Sequence, residues 1–270
     1  MQPKATLEDT LALMRDLRAR CEWDAAQTHE SLRPYLVEEA NELDEAIQHA
    51  DDAKVREELG DLLLQVLFHA VVGEERGAFD MGDVAGGLVA KMRARHPHLY
   101  GGGEREPWER LKARKRSSIE EGLPSGLPAL HRAHRLQDRA AGVGFDWPDM
   151  EGPAQKVEEE LREVREQFLA HPPRIASSHG AVPADAAHAA LESELGDLLF
   201  AVVNLCRKCG VHAALALDRA NAKFVSRWSA IERVAARRGI DVRTAGLEAL
   251  DGLWNEVKET EAGRQEAGEE

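Results

Sequence analysis

The sequence predicts an all-α fold made of two tandem copies of one helical-bundle unit, and three observations predict it. The chain is rich in Ala, Leu, Glu and Arg but only 5% aromatic, with two Tyr and six Phe, whereas sheet-rich chains lean on aromatic and β-branched residues. Apolar residues recur at three- and four-residue steps along most of its length. One acidic heptapeptide occurs twice, ELGDLLL at 58–64 and ELGDLLF at 194–200. With 270 residues, 43% of them hydrophobic, the chain is long enough for two domains with cores of their own.

Leu7, Leu11, Met14 and Leu17 predict the first helix. CEWDAAQTHESLRP (21–34) breaks that pattern. Ser31 as cap and Pro34 in the first turn then predict a second helix, with Leu36, Leu43 and Ile47 on one side. The connector HADDAK (49–54) leads to a third helix over 55–76, and a fourth runs over about 81–95. HPHLYGGGEREP (96–107) ends the pattern with two Pro and three consecutive Gly. Residues 107–121, PWERLKARKRSSIEE, predict a basic helix acting as a solvated connector. GLPSGLPAL (122–130) is the strongest boundary signal. The expected division is an N-terminal domain over 1–105, a charged helical linker over 106–126 and a C-terminal domain over 127–270. Beyond the boundary the pattern predicts a helix over about 128–141, the turn GVGFDWPDMEGP (142–153) and a helix from near Ala154.

The second half repeats the first. VEEANELDEA (37–46) aligns with 157–166 so that Glu38, Glu39 and Glu42 meet Glu159, Glu160 and Glu163. The heptapeptides pair Glu58 with Glu194 and Asp61 with Asp197, and Lys91 and Arg95 pair with Lys223 and Arg227. Such self-similarity means two copies of one helical unit. The main difference is FLAHPPRIASSHGAVPADAAHAA (168–190), whose Ala, Pro, Ser and His content predicts a mobile surface loop.

A net charge of −14, from 49 acids against 35 bases, argues against a nucleic-acid or anionic-membrane partner. Three Cys (Cys21, Cys206 and Cys209) are too few for a disulfide framework and fit a reduced, cytoplasmic compartment. Cys206 and Cys209 form a single CxxC, read as small core hydrophobes rather than half of a zinc site. The N-terminus has no apolar leader, and no stretch reaches membrane-span length.

Glu159, Glu160 and Glu163 spell EExxE, and Glu194 and Asp197 spell ExxD on the next helix. Residues three and four apart share a helix face, where like charges repel by a few tenths of a kcal/mol per pair. Any one such cluster fits a solvated face. Two, in the same order and context, point to a cation held between facing helices. All-oxygen donors without an accompanying His select a hard ion, Mg²⁺ or Mn²⁺. Gly60 and Gly196, each about 1 kcal/mol worse than Ala in mid-helix, suggest that a backbone or ligand approaches closely there. Such an ion shares its sites with phosphate oxygens, for which Lys223 and Arg227 supply cations one turn apart. GxxxxGK[ST] and GxGxxG are absent from the sequence.

EExxE followed by ExxD is similar to the signature of the all-α nucleoside triphosphate pyrophosphohydrolases, and the chain resembles their tandem-domain MazG branch over roughly residues 5–260. The stretches that carry the resemblance include LRPYLVEEANELDEAI, RHPHLY, GLPALHRAHRLQDRAAGVGFDW, ELGDLLFAVVNL and KFVSRW. It implies Mg²⁺-dependent hydrolysis of a nucleoside triphosphate to the monophosphate and pyrophosphate. It implies Glu160, Glu163, Glu194 and Asp197 as metal ligands, with Glu39, Glu42, Glu58 and Asp61 as their N-terminal counterparts. It places Lys156, Val157, Glu158, Glu159 and Glu160 at the nucleotide, with Lys223, Phe224, Val225, Ser226, Arg227 and Trp254. Glu159 becomes the candidate for orienting or deprotonating water, and Glu38 its N-terminal equivalent. The 168–190 insertion lengthens the usual gap between the two motifs, which bears on the shape of the nucleotide pocket. The resemblance also implies a homodimer, in keeping with Leu-rich faces that need covering. Because Lys223 and Arg227 sit on a long helix followed by Trp254, the C-terminal copy is expected to carry most of the hydrolysis. Two alternatives remain: a pyrophosphatase narrow for one (deoxy)nucleotide, and a non-catalytic nucleotide-sensing or partner-binding module.

Overall fold

The computed structural model describes residues 4–103, 108–113, 116–170 and 186–267. They form α-helices joined by turns, with no strand among the described residues. The chain divides into two compact units, 1–105 and 106–270.

In the first unit α1 (Leu7–Arg20) starts on a reciprocal cap, in which the Thr6 hydroxyl accepts from Asp9 N–H at 3.1 Å and the Asp9 carboxylate accepts from Thr6 N–H at 2.8 Å. The predicted break at 21–34 contains a short helix, α2 (Glu22–Ala26). Next, α3 (Arg33–Gln48) begins with Leu32 at the cap position. Pro34 sits in the first turn as expected, but Ser31 is not the cap: its hydroxyl closes a turn with Thr28 and Gln27. Three residues then reverse the chain into α4 (Asp52–Glu75), with Ala50 in the left-handed region at φ 53° and the Asp51 carboxylate accepting from Ala53 N–H and Lys54 N–H. That cap starts α4 three residues before the predicted Val55. Helices α5 (Met81–Ala94) and α6 (Pro97–Tyr100) follow. Met14, Leu32, Leu67, Phe68, Val71 and Val72 form the core, with Leu11, Leu17, Leu63 and Met81 against it. It lies between α1 and the C-terminal half of α4. Helix α3 packs mainly against α4, with Tyr35 edge-on to Trp23 of α2 at 6.3 Å, and Leu36 and Ile47 on its predicted core side are exposed while only Leu43 is partly covered.

The second unit opens with α7 (Trp108–Ala113), shorter than the predicted basic helix because 117–121 run through bends and turns. Nor is it a solvated connector. Glu109 binds Lys112 and Arg116 on its own segment and Arg135 on α8 (Ala129–Gly142). Burial alone would raise the Glu109 carboxyl, but hydrogen bonds from Arg135 and Arg116 outweigh it and hold the carboxyl down at about 2. A Cβ at Gly142 would lie 2.9 Å from Glu109 Cβ, so glycine permits this docking. Buried Arg139 donates to the carbonyls of Ile119 and Glu121 and fastens the rest of the segment.

Helix α9 (Glu151–Ala170) starts three residues earlier than predicted. Helices α10 (Ala186–Lys208), α11 (Ala213–Arg237) and α12 (Gly246–Ala267) complete the unit. Of the predicted 168–190 loop, 168–170 and 186–190 are helical, and 171–185 lie outside the described residues. The turn before α9 is tied to the end of α10, where Asp146 pairs with Arg207 and the Lys208 ammonium donates to Trp147 O at 2.7 Å. Ile231, Ala235, Leu253 and Val257 form the α11–α12 core. Cys209 is exposed, with Sγ 3.6 Å from Met150 Sδ, and Cys206 is half-buried, so the CxxC is not core filling. No single described helix is long and apolar enough to cross a membrane.

Candidate metal centre

Within each of the helix pairs α3–α4 and α9–α10 the two helices present their acids to one another. Carboxylate oxygens of Glu39, Glu58 and Asp61 all lie within 4.8 Å of one another, as do those of Glu160, Glu194 and Asp197. Three of each predicted quartet are thus gathered, from both helices of each pair. The fourth members, Glu42 and Glu163, stand beside the triads and feel their charge. Glu42 is pushed above the ordinary carboxylate range first by the charge of Glu58, while Glu163 is raised by burial and then by Glu160 and Glu194. Burial and then the Asp61, Glu42 and Glu58 charges raise Glu39. Each cluster therefore holds more negative charge than its protein surroundings balance.

One lysine reaches into each cluster. The Lys54 ammonium lies 2.7 Å from Glu58 and 3.4 Å from Glu57. The Lys156 ammonium lies 2.6 Å from Glu160 and 3.2 Å from Glu159. The carboxylate gripped in each case is the most enclosed of its set: the Glu58 side chain is 2% exposed and that of Glu160 6%. A buried carboxylate without a partner costs several kcal/mol, and each lysine offsets that cost. Lys156 and Glu159 are thereby joined next to the triad. Val157 is half-buried and Glu158 faces outward, and Glu38 is exposed at the α3 position that matches Glu159. Lys54 escaped the sequence reading, although its position four residues before Glu58 on one helix was a readable signal.

No close approach by the chain's own described atoms accounts for Gly60 or Gly196: a Cβ at either would meet nothing within 4 Å. Both glycines lie on exposed faces.

The predicted phosphate and base contacts form a separate group on α11 and α12. The Arg227 guanidinium donates to Glu261 at 2.8 Å and lies 5.6 Å from the Trp254 ring, and the Phe224 ring stands 5.5 Å from Trp254. Lys223, Phe224, Val225 and Ser226 are exposed. α10 and α11 meet at a bend of 101°, and α11 makes no contact with α9 among the described residues. Asp197 and Lys223 lie on opposite arms of that bend, each about 15 Å from it at 1.5 Å per residue, which separates them by about 20 Å. Lys223, Arg227 and Trp254 therefore do not meet the acidic cluster within one chain.

The family model for the MazG nucleotide pyrophosphohydrolase domain matches residues 27–100. A Thermotoga maritima protein named nucleoside triphosphate pyrophosphohydrolase/pyrophosphatase MazG is 43% identical over 260 residues, spanning 93% of this chain and 95% of that protein. An Escherichia coli K12 protein named nucleoside triphosphate pyrophosphohydrolase is 38% identical over 260 residues, spanning 92% and 94%. The chain is also 40% identical over 263 residues to the Bacillus subtilis protein YabN, of which the match covers 51%.

Proposed function

The chain belongs to the MazG family of nucleotide pyrophosphohydrolases, and from that premise we infer that it hydrolyses nucleoside triphosphates to the monophosphate and pyrophosphate. The observation that carries the reading is the pair of carboxylate triads at equivalent positions of the two repeats. Their all-oxygen donor set and surplus negative charge fit Mg²⁺, with Mn²⁺ as a substitute. Glu160, Glu163, Glu194 and Asp197 would hold the ion in the second unit, and Glu39, Glu42, Glu58 and Asp61 in the first. When bound, such an ion neutralises phosphate oxygens and acidifies water.

The chain's own groups supply the rest. Glu159, next to the triad and 3.2 Å from the Lys156 ammonium, accepts the proton of the water that attacks the α-phosphorus. The bond from the α-phosphorus to the bridging oxygen breaks, and pyrophosphate leaves with that oxygen. Lys223 and Arg227 bind phosphates and Trp254 stacks on the base, with Arg227 already held by Glu261 and lying over the indole ring. The second unit, which has this platform, carries most of the turnover. The first mainly supports assembly.

The distance of about 20 Å between these cations and the acids of the same chain supports a homodimer in which one copy's α11 reaches the other's acidic cluster. Exposed apolar side chains on the acidic helices fit the same assembly, among them Val37, Leu59 and Leu199 at 62%, 51% and 58%. Three unpaired cysteines fit a cytoplasmic protein, and the acidic surface leaves nucleic acid and membrane out of the proposal.

Pyrophosphate release across a panel of NTPs and dNTPs tests the activity and its breadth, and separates it from a non-catalytic nucleotide sensor. EDTA should abolish it and Mg²⁺ or Mn²⁺ restore it. Glu194→Ala or Asp197→Ala should lower turnover at least about a hundredfold with the helical spectrum unchanged. Near-wild-type release by both variants would remove the assignment. Glu39→Ala/Glu42→Ala set against Glu160→Ala/Glu163→Ala decides which half works. Loss with the first pair and survival with the second would reverse the choice of unit.

A further inference from the structure

The two acidic clusters are held by lysines from opposite helices. In the second unit Lys156 stands four residues before Glu160 on α9, and the matching position of α3 is Tyr35. In the first unit Lys54 stands four residues before Glu58 on α4, and the matching position of α10 is Ala190. The enclosed carboxylate has changed helix together with its lysine: Glu58 is the buried one in the first unit, Glu160 in the second. The first cluster has no copy of Lys156, yet it has an ammonium at the same distance from a buried glutamate.

Beside Lys54 a cavity of about 340 Å³ opens, lined by Glu42, Glu45, His49, Asp51, Lys54 and Glu58 with the Ala46 methyl. Lys54 is the one ammonium on its wall. Its side chain is 50% exposed on a flexible four-carbon stem, while its partner Glu58 is enclosed. The ammonium can therefore turn into the cavity without uncovering the helix behind it. An anion entering between those carboxylates needs a positive group at that wall.

We propose that Lys54 is the first unit's resident counter-ion and phosphate anchor, balancing Glu58 until the carboxylates take a divalent cation and then turning to the phosphate oxygens of the nucleotide. The proposal rests on the metal-dependent nucleotide reading above. It gives the first unit a phosphate contact that the internal repeat does not predict, delivered from the helix facing the one that carries Lys156. Lys54 acts there as a binding group and, through Glu58, as a positioning residue.

The test uses the full chain carrying Glu194→Gln and Asp197→Asn, so that only the first cluster keeps all its acids. Mn²⁺ alone is titrated by electron paramagnetic resonance, and Mn²⁺ with α,β-methylene ATP by calorimetry. Removing a cation beside the carboxylates should tighten Mn²⁺ alone, and removing the phosphate partner should weaken the analogue. Lys54→Met is therefore expected to bind Mn²⁺ about 3- to 10-fold more tightly and Mn²⁺–analogue about 10-fold more weakly. Lys54→Gln should show the same opposed shifts should the methionine variant fold poorly, and Lys54→Arg should keep both affinities within about threefold of the parent. Shifts of one sign in both titrations, or none in either, overturn the proposal. A parent that binds no Mn²⁺ overturns the metal reading of the first unit and the proposal with it.

Discussion

Ala50 is the one non-glycine residue with positive φ among those described, and it sits between the two helices that supply the first acidic cluster. An alanine in the left-handed region carries about 1 kcal/mol of strain that glycine does not. Part of that gain is lost to the greater freedom of glycine in the unfolded chain. Ala50→Gly should stabilise the first unit by about 0.5 kcal/mol, or about 2–4 °C in melting temperature, while Ala50→Val should destabilise it by more than about 1 kcal/mol. Calorimetry of both variants checks the sign, and a destabilised glycine variant would show that the turn is not strained. At this scale the sequence was legible where chemistry repeats and opaque where it does not. The ligand acids could be read because EExxE and ExxD recur. Lys54 could not be read from the repeat, because it has no counterpart at Ala190.

Among the elements, the three-way meeting of α8, α10 and α11 brings His131 and His134 against His212, with ring centroids 4.8 and 4.5 Å apart. Burial lowers both His131 and His134, aided by Arg135 and His212 and opposed at His134 by Asp138. The unfolded chain takes up protons near the ordinary value of about 6.5 and the folded unit takes them up only below it, so stability falls as pH drops through that value. The loss should reach about 1 kcal/mol between pH 6.5 and 5.5, and His131→Gln/His134→Gln should flatten the slope. The raised carboxyl of Glu163 titrates with the opposite sign, so the difference between wild type and the double variant isolates the histidines. An unchanged slope would place the effect elsewhere. Helix existence was read well from periodicity, and the capped start of α5 at Met81 matched, but other ends were missed. Asp51 starts α4 early, Leu32 rather than Ser31 precedes α3, and turns replace the predicted helix at 117–121. The docking of α7 was hidden because Glu109 finds Arg135 26 positions away, a pairing that no local pattern encodes.

For the whole molecule, α3 and α9 each pack mainly against one partner helix within their units, which leaves apolar side chains on both acidic pairs in the open. Light scattering at micromolar concentration should give twice the 29.8 kDa chain mass, and Leu199→Asp should reduce the assembly toward the single-chain mass by placing a charge on a face that the proposed dimer would cover. A wild-type mass of one chain would exclude the dimer. One asymmetry between the units also sets an order of events. Three residues separate α3 from α4, whereas fifteen positions, 171–185, separate α9 from α10 in the sequence. Bringing two helices together costs more chain entropy the more positions lie between them. The α3–α4 pair is thus joined by the more local contacts, which favours its forming first on refolding. In a refolding time course the acids of α3 and α4 should therefore come together before those of α9 and α10.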